Sequence, residues 1–205
     1  MQIVDDKRNQ IITAALKRFS HFGIAKTALS EIAEDINISK ANLYYYYPDK
    51  LALVESIVEW LSAEATDLMD NVFRDDATTL ELLEQVLRIK YDLFSKHYML
   101  MRDLVEGNFS NEKAKEISKD VFEREKRTIS NIFERGIEKS ELVTFDIGLM
   151  SELYVAIQRG LALFCDACLP SGFLDQAFLE KIFEKQKLAT KVFLHGVIKV
   201  KASTL

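Results

Sequence analysis

The sequence predicts an all-α protein, three short N-terminal helices followed by a longer helical bundle. Only 7 Gly and 2 Pro occur in 205 residues, too few for the tight turns of a sheet-rich fold. Hydrophobic residues make up 48% of the chain and recur at three- and four-residue spacing, enough to build a packed core. No stretch approaches the roughly 18 uninterrupted apolar residues of a membrane span. Asp5 and Asp6 stand where a signal peptide needs positive charge, so a cytoplasmic protein with no membrane partner is expected.

Ile12, Ala15, Leu16 and Phe19 form the stripe of a first amphipathic helix that ends near Phe22, with Gly23 as a left-handed cap. Thr27 is the expected cap of a second helix of about two turns carrying Leu29, Ile32, Ala33 and Ile36, with Glu31 in its first turn. Asn37 tolerates positive φ, and Ser39 is a good N-cap for a third helix that must stop before Pro48. Asp49 caps a longer helix with Leu53, Val54, Ile57, Val58 and Leu61 on one side, fading near Arg74. Further periodic segments run over 79–101, 113–137, 145–168 and 174–200. They are separated by breaks at Gly107-Asn108, Ser140 and Pro170-Ser171-Gly172.

Residues 27–47 read as helix, three-residue turn and helix, with small Ala33 permitting a close crossing. Each helical residue advances about 100°. On that phase Leu43, Tyr44 and Tyr47 are expected in the core. Lys40, Ala41, Asn42, Tyr45 and Tyr46 then form an outer face suited to a major groove. There asparagine reads adenine, alanine touches a thymine methyl and tyrosine hydroxyls bond phosphate. Lys50 opposes the macrodipole in the first turn of its helix, a placement that makes sense if it holds a DNA phosphate. Thr27, beside the N–H groups that begin the second helix, and Ser30, projecting from it, complete the expected contacts. Charge agrees with this division. Residues 1–50 hold 7 Lys/Arg and 6 Asp/Glu (net +1), while the rest hold 20 and 26 (net -6).

These residues resemble the DNA-binding domain of the tetracycline-repressor (TetR) family of bacterial transcription regulators. The resemblance spans roughly 8–53 and is carried by Phe19, Gly23, Thr27, Ile32, Ala33, Ile38-Ser39-Lys40, Leu43-Tyr44-Tyr45 and Lys50. Asn37 stands where the family has glycine, and Tyr46-Tyr47-Pro48 departs from its usual pattern. The resemblance implies a helix-turn-helix domain over 1–49 and an effector-binding and dimerisation domain over 50–205. It further implies a homodimer on a palindromic double-stranded operator, a repressor released by a small hydrophobic effector. Gly160 and Phe164, in a segment similar to the family's eighth helix, and Phe193 and Gly196, in the last helix, become candidates for the dimer contact.

Tyr91, Phe94, His97, Tyr98, Met101, Phe122 and Tyr154 are candidates to line an effector cavity, although their helical spacing suits ordinary core equally. Cys165 and Cys168 have the spacing of a redox dithiol, so a redox-responsive regulator is the alternative reading; on a helix such thiols also serve as small hydrophobes. No P-loop, GxSxG, HExxH or strand-linked GxGxxG motif occurs, and no enzyme, metal or cofactor is expected. The run Glu123–Arg127 reads as a solvated helix face.

Overall fold

The computed structural model describes residues 2–106, 112–167 and 176–197. Among them nine helices occur: α1 (Gln2–Phe22), α2 (Leu29–Asp35), α3 (Lys40–Tyr46), α4 (Lys50–Asp70), α5 (Thr79–Lys96), α6 (Tyr98–Glu106), α7 (Glu112–Glu138), α8 (Ile147–Ala167) and α9 (Gln176–His195). The breaks expected at Gly107-Asn108 and Pro170–Gly172 lie outside the described residues. No described helix is long and apolar enough to cross a membrane.

The chain divides into two compact units, 1–64 with 93–118 and 65–92 with 119–205. This division differs from one at residue 49, because the start of α4 completes the first core. In the first unit Ile11, Ala15 and Phe19 of α1 meet Ile32 and Ala33 of α2, Leu43 of α3, Leu53 and Ile57 of α4, and Leu100 of α6. Burying each large side chain contributes roughly 1.5–3 kcal/mol, which is how such short helices hold together.

The second unit centres on Phe133 of α7, whose ring lies 5.6 Å from Phe145, 5.9 Å from Tyr154 and 5.9 Å from Phe193. Leu82, Leu83 and Val86 of α5, Ile129 and Ile132 of α7, Val155 of α8 and Leu194 of α9 complete this core. Ser140 takes positive φ (59°) at the expected break, and the Glu141 carboxylate accepts from the Thr79 N–H (2.7 Å) and hydroxyl (2.8 Å) at the start of α5. The segment expected to be continuous over 79–101 is interrupted at His97. No glycine or proline marks that break.

Candidate nucleic-acid interface

The turn after α1 is built around Gly23, whose φ of 84° suits a residue without Cβ. A Cβ there would also lie 2.6 Å from Asp103 Oδ2. The same carboxylate oxygen accepts from the Ile24 N–H at 2.6 Å, and Lys50 Nζ donates to the Ile24 carbonyl at 2.9 Å. Buried Thr27 donates its hydroxyl to Gly23 O at 2.8 Å. Ala28, not Thr27, is therefore the N-cap of α2, and the Glu31 carboxylate accepts from the Ala28 N–H at 2.7 Å. Arg18 of α1 meets Asp35 through two hydrogen bonds of 2.6 and 2.8 Å and Glu31 at 3.3 Å, tying α2 to α1. That pairing raises the Arg18 pKa and lowers that of Asp35.

Asn37 adopts φ 53° between α2 and α3, and Ile38 N–H donates to Ala33 O at 3.0 Å, so asparagine performs the turn that glycine would otherwise make. Ser39 caps α3 by accepting from the Asn42 N–H at 3.1 Å. Leu43 is fully buried, whereas Lys40, Ala41 and Asn42 are exposed and Tyr45 is 84% exposed. Asp49 caps α4 by accepting from the Ala52 N–H at 2.8 Å.

Residues 11–57 match the model of the bacterial regulatory proteins, tetR family. Over that stretch the chain is similar to the tetR family. It is 35% identical to the HTH-type transcriptional regulator RutR of Escherichia coli K12 over 95 residues, 44% of this chain and 42% of RutR; the match thus spans less than half of that relative. The nucleoid occlusion factor SlmA of Aliivibrio fischeri is 22% identical over 160 residues, 76% of this chain and 81% of SlmA. A solved transcriptional regulator from Cytophaga hutchinsonii superposes with a TM-score of 0.86 over 94% of this chain and 99% of its own, at 24% identity, a likeness of fold.

Two tyrosines of the tetR-like head depart from the expected phase. Tyr44, expected inside, is 40% exposed with Lys40 Nζ 5.6 Å from its ring centre; Tyr46, expected outside, is half-buried and packs on the head core. The reason is geometric. With Leu43 inward, positions three and four further on follow it, and Tyr47 turns in with extended backbone (φ −136°, ψ 104°) just after α3 ends. Burial pushes the Tyr47 hydroxyl pKa up. Ser30 is half-buried on α2, and Lys50 is half-buried with one of its three donors on Ile24 O.

The expected cavity residues divide between the units: Phe94, His97, Tyr98 and Met101 belong to the first, Tyr91, Phe122 and Tyr154 to the second. His97 Nδ1 lies 2.8 Å from Ser20 Oγ, and Met101 packs on the head core. Tyr91 donates its hydroxyl to Glu180 at 2.7 Å, and its ring lies 4.9 Å from that of Phe183. Tyr154 is buried with its hydroxyl 2.8 Å from Thr190 Oγ1, and burial raises its pKa strongly.

Among the dimer candidates, Phe193 is half-buried, stacked on Phe133 and packed against Tyr154 within its own chain. Gly160 is exposed, and a Cβ there would meet nothing within 4 Å. Gly196 is exposed in the turn after α9. The side chains of Phe164 and Cys165, and the whole of Cys168, lie outside the described residues. Exposed apolar residues that sequence reading missed are Leu149 (63%) and Leu153 (46%) on α8 and Leu188 (63%) and Val192 (67%) on α9.

The Glu123–Arg127 run departs from the expected solvated face. Glu125 is buried, its carboxylate held by Lys90 and, at 3.1 Å, by Arg159 Nε. Burial alone would raise its pKa; the two cations overcome that and hold it below the ordinary carboxylate value. The clue was its phase, four residues before Ile129 and seven before Ile132.

Proposed function

We propose that this chain is a cytoplasmic, sequence-specific DNA-binding transcriptional regulator, a repressor released from a palindromic operator by a small-molecule effector. The observation that carries this reading is the exposed Lys40, Ala41, Asn42 and Tyr45 side of α3, placed on a capped helix inside the stretch that matches the tetR family. In a major groove Asn42 reads a base edge, Ala41 supplies an apolar contact, and Lys40, Tyr45 and Lys50 reach phosphates. Tyr44 joins them on the exposed side.

A palindromic site requires a two-fold assembly. Leu149 and Leu153, one turn apart on α8, and Leu188 and Val192, one turn apart on α9, support a homodimer that buries these side chains against their own copies. Alongside Leu149 and Leu153, at the same face of α8, stand exposed Ala156 and Gly160, small residues that admit a close partner helix.

For release, α4 supplies residues to both compact units. An effector that favours one position of α4 takes the two copies of α3 away from the spacing of about 34–36 Å that successive major grooves demand. Linkage then requires operator DNA to weaken effector binding by the factor by which effector weakens DNA binding. RutR is a transcriptional regulator and SlmA a nucleoid occlusion factor, and the regulator reading extends the first of these to this chain.

The test is capture of genomic fragments by the purified protein, followed by sequencing. A recurrent palindrome with half-sites about one helical turn apart supports the reading. Capture with no shared sequence, or none at modest ionic strength, overturns it.

A further inference from the structure

The first unit buries two polar side-chain atoms that lack any hydrogen-bond partner, Glu64 Oε2 on α4 and His97 Nε2 at the break between α5 and α6. His97 is only 5% exposed. Its other ring nitrogen lies 2.8 Å from Ser20 Oγ on α1, three residues before Gly23. The two nitrogens of an imidazole point in divergent directions, so the ring bridges α1 on one side and meets no partner on the other. Glu64 is near enough for its charge to act on the ring, favouring the protonated form. Burial and Lys96 outweigh it, and His97 is held below its ordinary pKa, neutral near pH 7.

In the tautomer that carries the His97 proton on Nε2, their hydrogen-bonding characters are complementary. A carboxylate only accepts, whereas a neutral imidazole that accepts the Ser20 hydroxyl at Nδ1 carries its proton on Nε2 and donates there. Buried polar atoms are normally paired, and an unpaired acceptor whose charge acts on the ring of an unpaired donor in the same unit marks a place for a group that can do both. Apolar side chains stand one turn away along the same helices: Leu61 before Glu64, and Leu100 and Met101 after His97.

We propose that Glu64 and His97 form the polar end of a binding site for a neutral molecule whose head group, an alcohol or a primary amide, donates to Glu64 Oε2 and accepts from His97 Nε2–H. This rests on the effector reading above and specifies the effector's head group. A carboxylate is repelled by Glu64, an ammonium group cannot accept from His97, and a purely apolar molecule leaves both atoms unpaired. The same ring touches Ser20, so occupancy of the site bears directly on the helix that leads into the DNA-reading turn.

Trp60 is the single tryptophan and lies one turn before Glu64 on α4, so its emission reports on the site in the intact protein. The probes are 1-octanol, octanamide, octanoate and octylammonium, titrated without DNA. Saturable responses to 1-octanol and octanamide, at least ten-fold tighter than to the two charged probes, are expected. His97→Phe and Glu64→Leu each weaken 1-octanol binding ten-fold or more, while His97→Gln, which keeps a donor, stays within three-fold. No saturable response to either neutral probe, the result if a water molecule fills the place, overturns the proposal; so does equal affinity across the four probes or undiminished binding by His97→Phe. Because no duplex is present, failure here leaves the DNA-binding reading intact, and failure to capture DNA leaves this titration readable.

Discussion

The exposed side of α3 in the first compact unit and the exposed sides of α8 and α9 in the second differ in chemistry. The first unit presents Lys40, Asn42 and Tyr45 on α3, with Phe22, Leu51 and Trp60 as partly exposed apolar side chains elsewhere. The second encloses the Lys90–Glu125–Arg159 ion trio and leaves Leu149, Leu153, Leu188 and Val192 exposed. A surface of cations, amides and hydroxyls suits a hydrated polyanion, whose phosphates and base edges are themselves polar. Exposed aliphatic side chains gain only when another apolar surface excludes their water. The two proposed interfaces thus differ in physical kind, and each can be perturbed separately.

The largest expected effect is on the enclosed charge. Glu125→Ala leaves two cations facing each other without their carboxylate, and urea denaturation should show a loss of about 2–4 kcal/mol, limited by the partial exposure of Lys90 and Arg159. Glu123→Ala, two residues away in an exposed pair with Lys126, should leave the midpoint essentially unchanged. Similar losses in both variants would mean that the trio is no different from a surface pair.

Next comes the apolar face. Leu153 and Leu188 are about half exposed, so replacing both by Glu removes burial worth roughly half of the 1.5–3 kcal/mol of a fully buried side chain at each position. It should weaken self-association by roughly 100-fold or more in sedimentation equilibrium, with helical content intact. A monomer–dimer equilibrium unmoved by this pair would place the two-fold contact elsewhere.

Effects on the polar face are smaller and differ in kind. Asn42→Ala should cost about 1–3 kcal/mol at one operator position and change which base is preferred there. Lys50→Ala should weaken all duplexes alike and reduce the salt slope by about one. Lys50 also holds the Ile24 carbonyl, so an unchanged salt slope with weaker binding would reveal it as a brace for the turn alone.

The smallest effect is a pH dependence of the first unit. The His97 pKa is lowered by burial first and by Lys96 second, so the unfolded chain binds a proton at higher pH than the folded one. The stabilisation is complete above the ordinary histidine value, about 6.5. It is lost as pH falls below that towards the depressed folded value. Paired urea titrations of wild type and His97→Gln should diverge in that interval and run parallel above it. Parallel behaviour throughout would show that burial does not perturb the ring.

Much of this was legible in the residues alone. The 3.6-residue period located most helices, Ser39 and Asp49 act as the expected caps, and Gly23 and Asn37 take the positive φ that their chemistry permits. Local geometry carries such information because it depends on neighbours in the chain. What escaped depends on distant partners or on where a helix stops. Tyr44 and Tyr46 exchanged places because α3 is short and Tyr47 packs in an extended conformation. Thr27 gave up the cap for the Gly23 carbonyl, and the His97 break involves no breaker residue. Glu125 was hidden by the charged residues around it, although it falls in phase with Ile129 and Ile132.

Ile24 shows what distant partners add to such a turn. Its amide is tethered by Asp103 from α6 and its carbonyl by Lys50 from α4, so one residue is clamped by two helices far apart in the chain. Slack in this loop would let either helix drift while the reading elements stayed put. Fastened on both sides, the loop cannot keep both bonds if α4 or α6 moves alone, so under the proposed release mechanism travel of either helix is expected to reach α2.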